Sequence, residues 1–243
     1  SMIMELRMVK TRIEIDFLKI ANEIATFGLE SASNAIAEGT KEIQVAASIE
    51  NAVQSKGVGY RGVDRARGFA FVMSGPLAAN AYRSYCISTT RRLRRGDLVL
   101  VELDTYADGY WSDLTRMFVI GGPTSEQQRI FDSVFEAQQE AIKSIMPGVK
   151  ASDIDGIARN IVRKHGYEKY FLHRLGHGIG LRLHELPALH PASGDILLPG
   201  MVHSVEPGVY IPGFGGIRVE DDILDLQAGC EYVSKFERTL IRA

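Results

Sequence analysis

Only two cysteines occur in the 243 residues, Cys86 and Cys230, far apart and outside any metal-like spacing. That argues against a disulfide framework and suits a reducing compartment, so the cytoplasm is the expected location. No apolar run approaches the roughly 20 residues that cross a bilayer, and no secretory signal opens the chain. Its first residues, Ser1-Met2-Ile3-Met4-Glu5, read instead as a cloning scar at Ser1-Met2. Charge of neither sign prevails: 28 Lys and Arg against 30 Asp and Glu leave a formal −2. Nucleic acid and anionic membranes are therefore not expected partners. Histidine is absent from the first two thirds; the first of the six is His165.

What is present suffices for one large core: 45% hydrophobic and 24% charged residues, as in soluble globular proteins. Apolar residues at helical spacing (Ile13, Phe17, Ile20, Ala21, Ile24, Phe27) predict a helix over about 10–37. Gly39-Thr40 stops it, and Thr40 is placed to cap a second helix over about 41–54. Strands are expected over 69–74, 97–103 and 115–120. The run Arg91, Arg92, Arg94 and Arg95 reads as a solvated loop before a Gly-Asp turn. Thr124 or Ser125 begins a helix to about Met146, and another covers about 152–165. Two further strands are expected over 202–211 and 217–224. Two rounds of helix pair followed by strands suggest a duplicated α+β half. The whole of 1–243 reads as one α+β domain.

The chemistry-bearing residues are acids and imidazoles set within apolar strands. Glu102 and Asp104 are two apart, so they share a face of one strand. A bare carboxylate there costs several kcal/mol unless paired or metal-bound. Asp113 follows after a turn at Gly109-Tyr110 that can return it beside Glu102. A second cluster holds His173, His177 and His184, with His177 between two glycines that let the backbone approach a site closely. In a third, Glu206 and Glu220 interrupt two strands joined by a Pro/Gly-rich connection, so a hairpin would set them side by side. Adjacent buried carboxylates repel unless protonated or bridged by cations. Oxygen-rich donors with one imidazole suit Mn, Fe, Co or Zn. A pair of such ions about 3.5–4 Å apart can activate water for hydrolysis. Salt bridges and ordinary buried histidines are the plainer alternatives, and His165, His190 and His203 are assigned structural roles.

Together the clusters resemble the pita-bread metallopeptidases. Asp113 lies in Gly-Tyr-Trp-Ser-Asp-Leu-Thr-Arg and His177 in His-Arg-Leu-Gly-His-Gly-Ile-Gly-Leu. Glu206 lies in Ser-Val-Glu-Pro-Gly-Val-Tyr and Glu220 in Gly-Gly-Ile-Arg-Val-Glu-Asp-Asp. His173 and Arg218 are similar to the Xaa-Pro aminopeptidase and prolidase branch. The resemblance implies two pseudo-symmetric α+β halves around a curved antiparallel sheet, and a divalent cofactor of one or two ions (Mn, Co, Zn or Fe). It makes Asp113, His177, Glu206 and Glu220 metal ligands, with Glu206 also the proton shuttle. His173 and His184 then serve catalysis beside the substrate, and Arg218 holds it. Such proteins usually carry an N-terminal domain, which is expected to be absent here, and a homodimer is an open possibility.

Two positions depart from the pattern. Glu102 stands where the family has its first Asp, and the extra methylene moves the carboxylate by roughly 1 Å or more, against a metal–ligand tolerance of about ±0.2 Å. Asp104, where the family has Gly, can supply the missing oxygen, so both join the metal-ligand set. The family also has a histidine upstream of the first Asp; counting places Tyr82 or Tyr85 there, as candidate substrate contacts. A phenol is a poor proton relay at pH 7. The first expectation is a metal-dependent hydrolase cleaving short Xaa-Pro peptides. A creatinase- or ectoine-hydrolase-like enzyme acting on another small amide, with one metal or none, is the second. A non-catalytic binding module is the third.

Overall fold

The computed structural model describes residues 2–83 and 87–243. A short helix, α1 (Met2–Met8), leads into α2 (Arg12–Ala35). Thr11 closes a capping box there: its hydroxyl accepts from the Glu14 N–H at 3.3 Å, and the Glu14 carboxylate accepts from the Thr11 N–H at 2.8 Å. Helix α3 (Glu42–Gly57) begins two residues past Thr40, the expected cap. Lys41 takes that place, and the Gln44 side chain accepts its N–H at 3.0 Å. The two helices cover strands β1 (Ala66–Ser74), β2 (Leu98–Ala107) and β3 (Tyr110–Val119). Ile24, Leu29, Ile49, Val53, Val101 and Leu103 meet in one buried cluster between them.

Strands β2 and β3 are longer than expected because the hairpin turns at Asp108-Gly109, one residue earlier than the sequence suggested. Both residues have positive φ, 43° and 104°, the conformation a two-residue hairpin demands and Asp-Gly supplies. The basic run is solvated at Arg92, Arg94 and Arg95 only. Arg91 turns inward and pairs with Asp97 at 2.6 Å.

The second half repeats the plan. Thr124 and Gln127 cap each other at the start of α4 (Ser125–Lys143), and α5 (Ala151–Lys164) follows. Seven short strands come next: β4 (Gly176–Gly178), β5 (Glu185–Leu189), β6 (Val202–Val205), β7 (Gly208–Ile211), β8 (Gly215–Arg218), β9 (Asp221–Asp225) and β10 (Cys230–Tyr232). A last strand, β11 (Ile241–Arg242), runs parallel to β3 at the edge of the first sheet. The sheets are β1-β2-β3-β11, β10-β9-β6-β4-β5 and the ribbon β7-β8. The α+β class and the two helix-covered halves agree with the sequence reading.

The two late strands are not continuous as expected. Each breaks at its glutamate. Pro207 cannot donate to a ladder, so the chain leaves β6 at Glu206 and re-pairs as β7. Glu206 N–H donates to Leu175 O at 2.8 Å, and Glu220 N–H to Thr115 O at 3.2 Å. Both glutamates thus stand at corners where the chain changes sheets, and the Thr115–Glu220 bridge ties the two halves together.

Candidate metal centre

The β2–β3 register sets the first part of the site. Asp113 lies opposite Asp104, and Glu102 lies opposite Thr115. The sequence alone suggests Asp113 beside Glu102; the register of the Asp108-Gly109 hairpin places it opposite Asp104, two residues from Glu102. Even so, Glu102, Asp104 and Asp113 each bring one oxygen to within 4.8 Å of the others. Asp104 and Asp113 are 6% and 3% exposed, so water does not solvate them.

His177 comes from β4, wedged between β5 and β6. Its Nδ1 lies 3.1 Å from the Gly178 carbonyl oxygen. A carbonyl only accepts, so Nδ1 carries a proton and Nε2 is the ring nitrogen turned to the acids; against burial, Asp113 and Glu206 raise the ring's proton affinity. That nitrogen faces Asp113 Oδ2 and Glu206 Oε1, each at 3.4 Å. The separation is long for a hydrogen bond. It is the spacing of ligands around a tetrahedral ion with bonds of about 2.1 Å, which sets them about 3.4 Å apart. His177, Glu206 and Glu220 form a second group whose donor atoms lie within 4.8 Å of one another.

Among the described residues, three buried oxygens in this cluster have no hydrogen-bond partner: Asp104 Oδ1, Asp113 Oδ1 and Glu220 Oε1. A fourth, Glu102 Oε2, has the Arg218 guanidinium beside it as an ion pair, but not aligned as a hydrogen bond. Buried carboxylate oxygens facing one another without partners cost free energy unless a cation lies among them. The donor set therefore fits one or two divalent ions. The same crowding shows in the proton affinities. Burial, with Asp113 and Glu206 nearby, pushes Glu220 well above the usual carboxylate range. Burial, with Asp113 and Glu102, does the same to Asp104, and burial raises Glu206 to about 7. Against burial, His177 and then the Arg218 charge hold Asp113 low.

Arg218, which the resemblance makes a substrate contact, lines the cleft and is also tied to the carboxylates. It is 3% exposed. Its Nη2 lies 2.6 Å from Glu102 Oε2, its Nε donates to Thr115 Oγ1 at 2.9 Å, and its Nη1 donates to Ala81 O and Tyr210 OH at 3.1 and 3.2 Å. Thr115 Oγ1 in turn donates to Glu220 Oε2 at 2.6 Å. The guanidinium thus braces the carboxylates from behind.

His173 is fixed by α5. Arg159 donates to the His173 carbonyl at 2.6 Å while paired with Asp155, and Asp155 accepts the Leu175 N–H at 3.0 Å. His173 Nδ1 lies 2.7 Å from the Arg174 carbonyl, which leaves Nε2 to accept from Tyr210 OH at 2.9 Å. Tyr210 was missed from the sequence, although it ends the quoted Glu206 motif. His184 meets the His177 ring edge-on at 4.1 Å. Glu185 beside it is anchored by Arg7 and Lys10. Burial lowers His173 to about 3 and His184 to about 4, so both are neutral at pH 7.

Glu102, Asp104, His173, His177, His184, Glu206 and Arg218 line an open cleft of about 780 Å³ together with Phe71, Ile87 and Leu183. Tyr82 is in its wall, packed on the Tyr210 ring at 5.7 Å. Tyr85, the other tyrosine counted into the missing histidine's place, lies outside the described residues.

Metallopeptidase family M24 matches the chain over residues 16–224. The chain is 39% identical to an Xaa-Pro dipeptidase of Pyrococcus horikoshii over 99% of its own length and 66% of that protein's. It is 38% identical to the Xaa-Pro dipeptidase of Pyrococcus furiosus, covering 67% of it. Its fold superimposes on the prolidase from Pyrococcus furiosus with a TM-score of 0.90, at 37% identity, covering 98% of this chain and 68% of that one. For the X-Pro aminopeptidase from Thermotoga maritima the TM-score is 0.92, at 31% identity, covering all of this chain and 66% of that one. The chain thus spans about two thirds of the length of the relatives it matches. The convergence of acids and imidazoles where the two halves meet, and the match along nearly the whole chain, place this protein in metallopeptidase family M24, with the pita-bread fold.

Proposed function

We propose that this protein is a metal-dependent peptidase that hydrolyses dipeptides or short peptides with proline after the scissile bond. The observation that carries the reading is His177 Nε2 facing two carboxylates at 3.4 Å beside buried oxygens that lack partners. Asp113, His177, Glu206 and Glu220 would hold an ion, and Glu102 and Asp104 with Asp113 offer oxygens for a second. When bound, Mn, Co, Zn or Fe would supply Lewis acidity toward a carbonyl and toward water.

The chain's own groups do the rest. Glu206 lines the cleft with its Oε1 3.4 Å from His177 Nε2, where it can take a proton from water and pass it to the departing nitrogen. His173 and His184, neutral at pH 7, orient the peptide by hydrogen bonds. Tyr82 stands in the cleft wall and contributes contact and hydrogen bonding, not proton relay. The apolar side chains Phe71, Ile87 and Leu183 give the cleft wall a nonpolar surface for the substrate.

The test is hydrolysis of an Xaa-Pro dipeptide against its Xaa-Ala counterpart by metal-loaded protein, with chelator and His177→Ala as controls. Cleavage of the proline substrate that both controls abolish supports the reading. Chelator-resistant activity, or cleavage of a small non-peptide amide in place of both dipeptides, overturns it.

A further inference from the structure

The two ends of the centre differ in donor chemistry. On the inner side an imidazole, His177, joins Glu206 and Glu220. On the outer side the donors are Glu102, Asp104 and Asp113, oxygen only. The charge on Glu102 is already matched, since Arg218 Nη2 lies 2.6 Å from its Oε2. Asp104 has no such ion pair among the described residues, is 6% exposed, and keeps a buried oxygen without a partner. Opposite it in the ladder stands Asp113, whose Oδ1 is equally unpartnered. The outer void is thus framed by oxygen donors of which only Glu102 is matched by an arginine.

We infer that Asp104 makes the outer position a hard-cation site, taking Mg²⁺ or Mn²⁺, chemically unlike the imidazole-bearing inner position that takes a borderline ion such as Zn²⁺. All-carboxylate sites favour Mg²⁺, Ca²⁺ and Mn²⁺, whereas imidazole shifts preference toward Zn²⁺. Glu102 is the smaller contributor because it shares its charge with the guanidinium. Asp104, standing where the family pattern has Gly, is the larger one. The inference rests on the metallopeptidase reading and adds to it a specific division of labour between the two ends.

The experiment loads the protein with one equivalent of Zn²⁺ and titrates Mn²⁺, reading free Mn²⁺ by electron paramagnetic resonance and bound metal by equilibrium dialysis. The parent should take up one Mn²⁺ beyond its Zn²⁺, and excess Mg²⁺ should displace the Mn²⁺ while the Zn²⁺ stays. Asp104→Asn, nearly isosteric, should weaken the Mn²⁺ step by about tenfold or more, and Glu102→Gln should weaken it less. Circular dichroism and melting establish that both variants fold. A Mn²⁺ step unchanged in Asp104→Asn, or a second Zn²⁺ bound as tightly as the first, overturns the inference. Zn²⁺ bound with no Mn²⁺ step sinks it alone, whereas failure to bind Zn²⁺ at all sinks the metallopeptidase reading as well.

Discussion

Gly176→Ala should empty the metal centre while leaving the protein folded. A Cβ at Gly176 would lie 2.0 Å from the Ser204 carbonyl oxygen and 2.8 Å from its carbon. Carbon and oxygen normally approach no closer than about 3.3 Å, so β4 and β6 must part locally by more than about 1 Å. Gly176 immediately precedes His177, and Ser204 stands two residues before Glu206. The displacement therefore falls on the His177 Nε2–Glu206 Oε1 pair, now 3.4 Å apart. Metal–ligand distances tolerate only about ±0.2 Å. Overpacking of this kind costs about 1–3 kcal/mol, which a domain of this size survives. The assay is metal content after desalting, beside thermal melting of the metal-free proteins. Parental metal affinity in Gly176→Ala would refute the idea that this close backbone approach spaces the ligands.

Three further outcomes follow from the same structure. Burial raises Glu206 from 4.5 to about 7; a raised carboxyl stabilises the fold below its unfolded value and loses that contribution as pH rises through about 7. Between pH 5 and 8 the metal-free parent should thus lose stability relative to Glu206→Gln, by an order of magnitude of about 3 kcal/mol, and equilibrium unfolding that shows the opposite slope contradicts the assignment. Over the same interval metal affinity should rise, because an ion must displace the protons held by Glu206, Glu220 and Asp104; calorimetry in buffers of different ionisation enthalpy counts them, and binding without proton release would be the contrary result. In α5, a methyl group added at Gly156 would meet no atom within 4 Å, so Gly156→Ala should stabilise the protein by about 1 kcal/mol, seen as a higher melting temperature and refuted by a lower one.

What the sequence disclosed was residue identity, and what it withheld was pairing. Acids and imidazoles inside apolar strands are conspicuous because an unsupported charge there is costly, so the three clusters stood out, and the family resemblance made Asp113, His177, Glu206 and Glu220 the ligands among them. The helices were legible for a local reason too: apolar residues recur at helical spacing from Ile13 to Phe27, and Thr124, one of the two residues offered as the start of the third long helix, caps α4. The placement of Thr40 failed by one residue, and the hairpin turn by one more. In a strand pair that single residue decides who faces whom, and it set Asp113 across from Asp104.

Arg218 shows where local reading stops. Its partners Glu102 and Thr115 are more than 100 positions away in the chain, and no spacing rule connects them. A cation next to a ligand motif reads as a hand for the substrate; in the structure this guanidinium, at the cleft wall, is also held by Glu102, Thr115, Ala81 and Tyr210. The reason lies in the sheet switch at Glu220. Two residues earlier, Arg218 ends β8 pointing back across β2 and β3, toward carboxylates that would otherwise repel one another with nothing behind them. The same switch explains why Tyr210 escaped notice: its ring looked like one more apolar strand residue, while its hydroxyl joins His173 to Arg218. Residues whose role is to hold a ligand's holder carry no mark of their own in a single sequence. They become visible only when the strands that bear them are brought together.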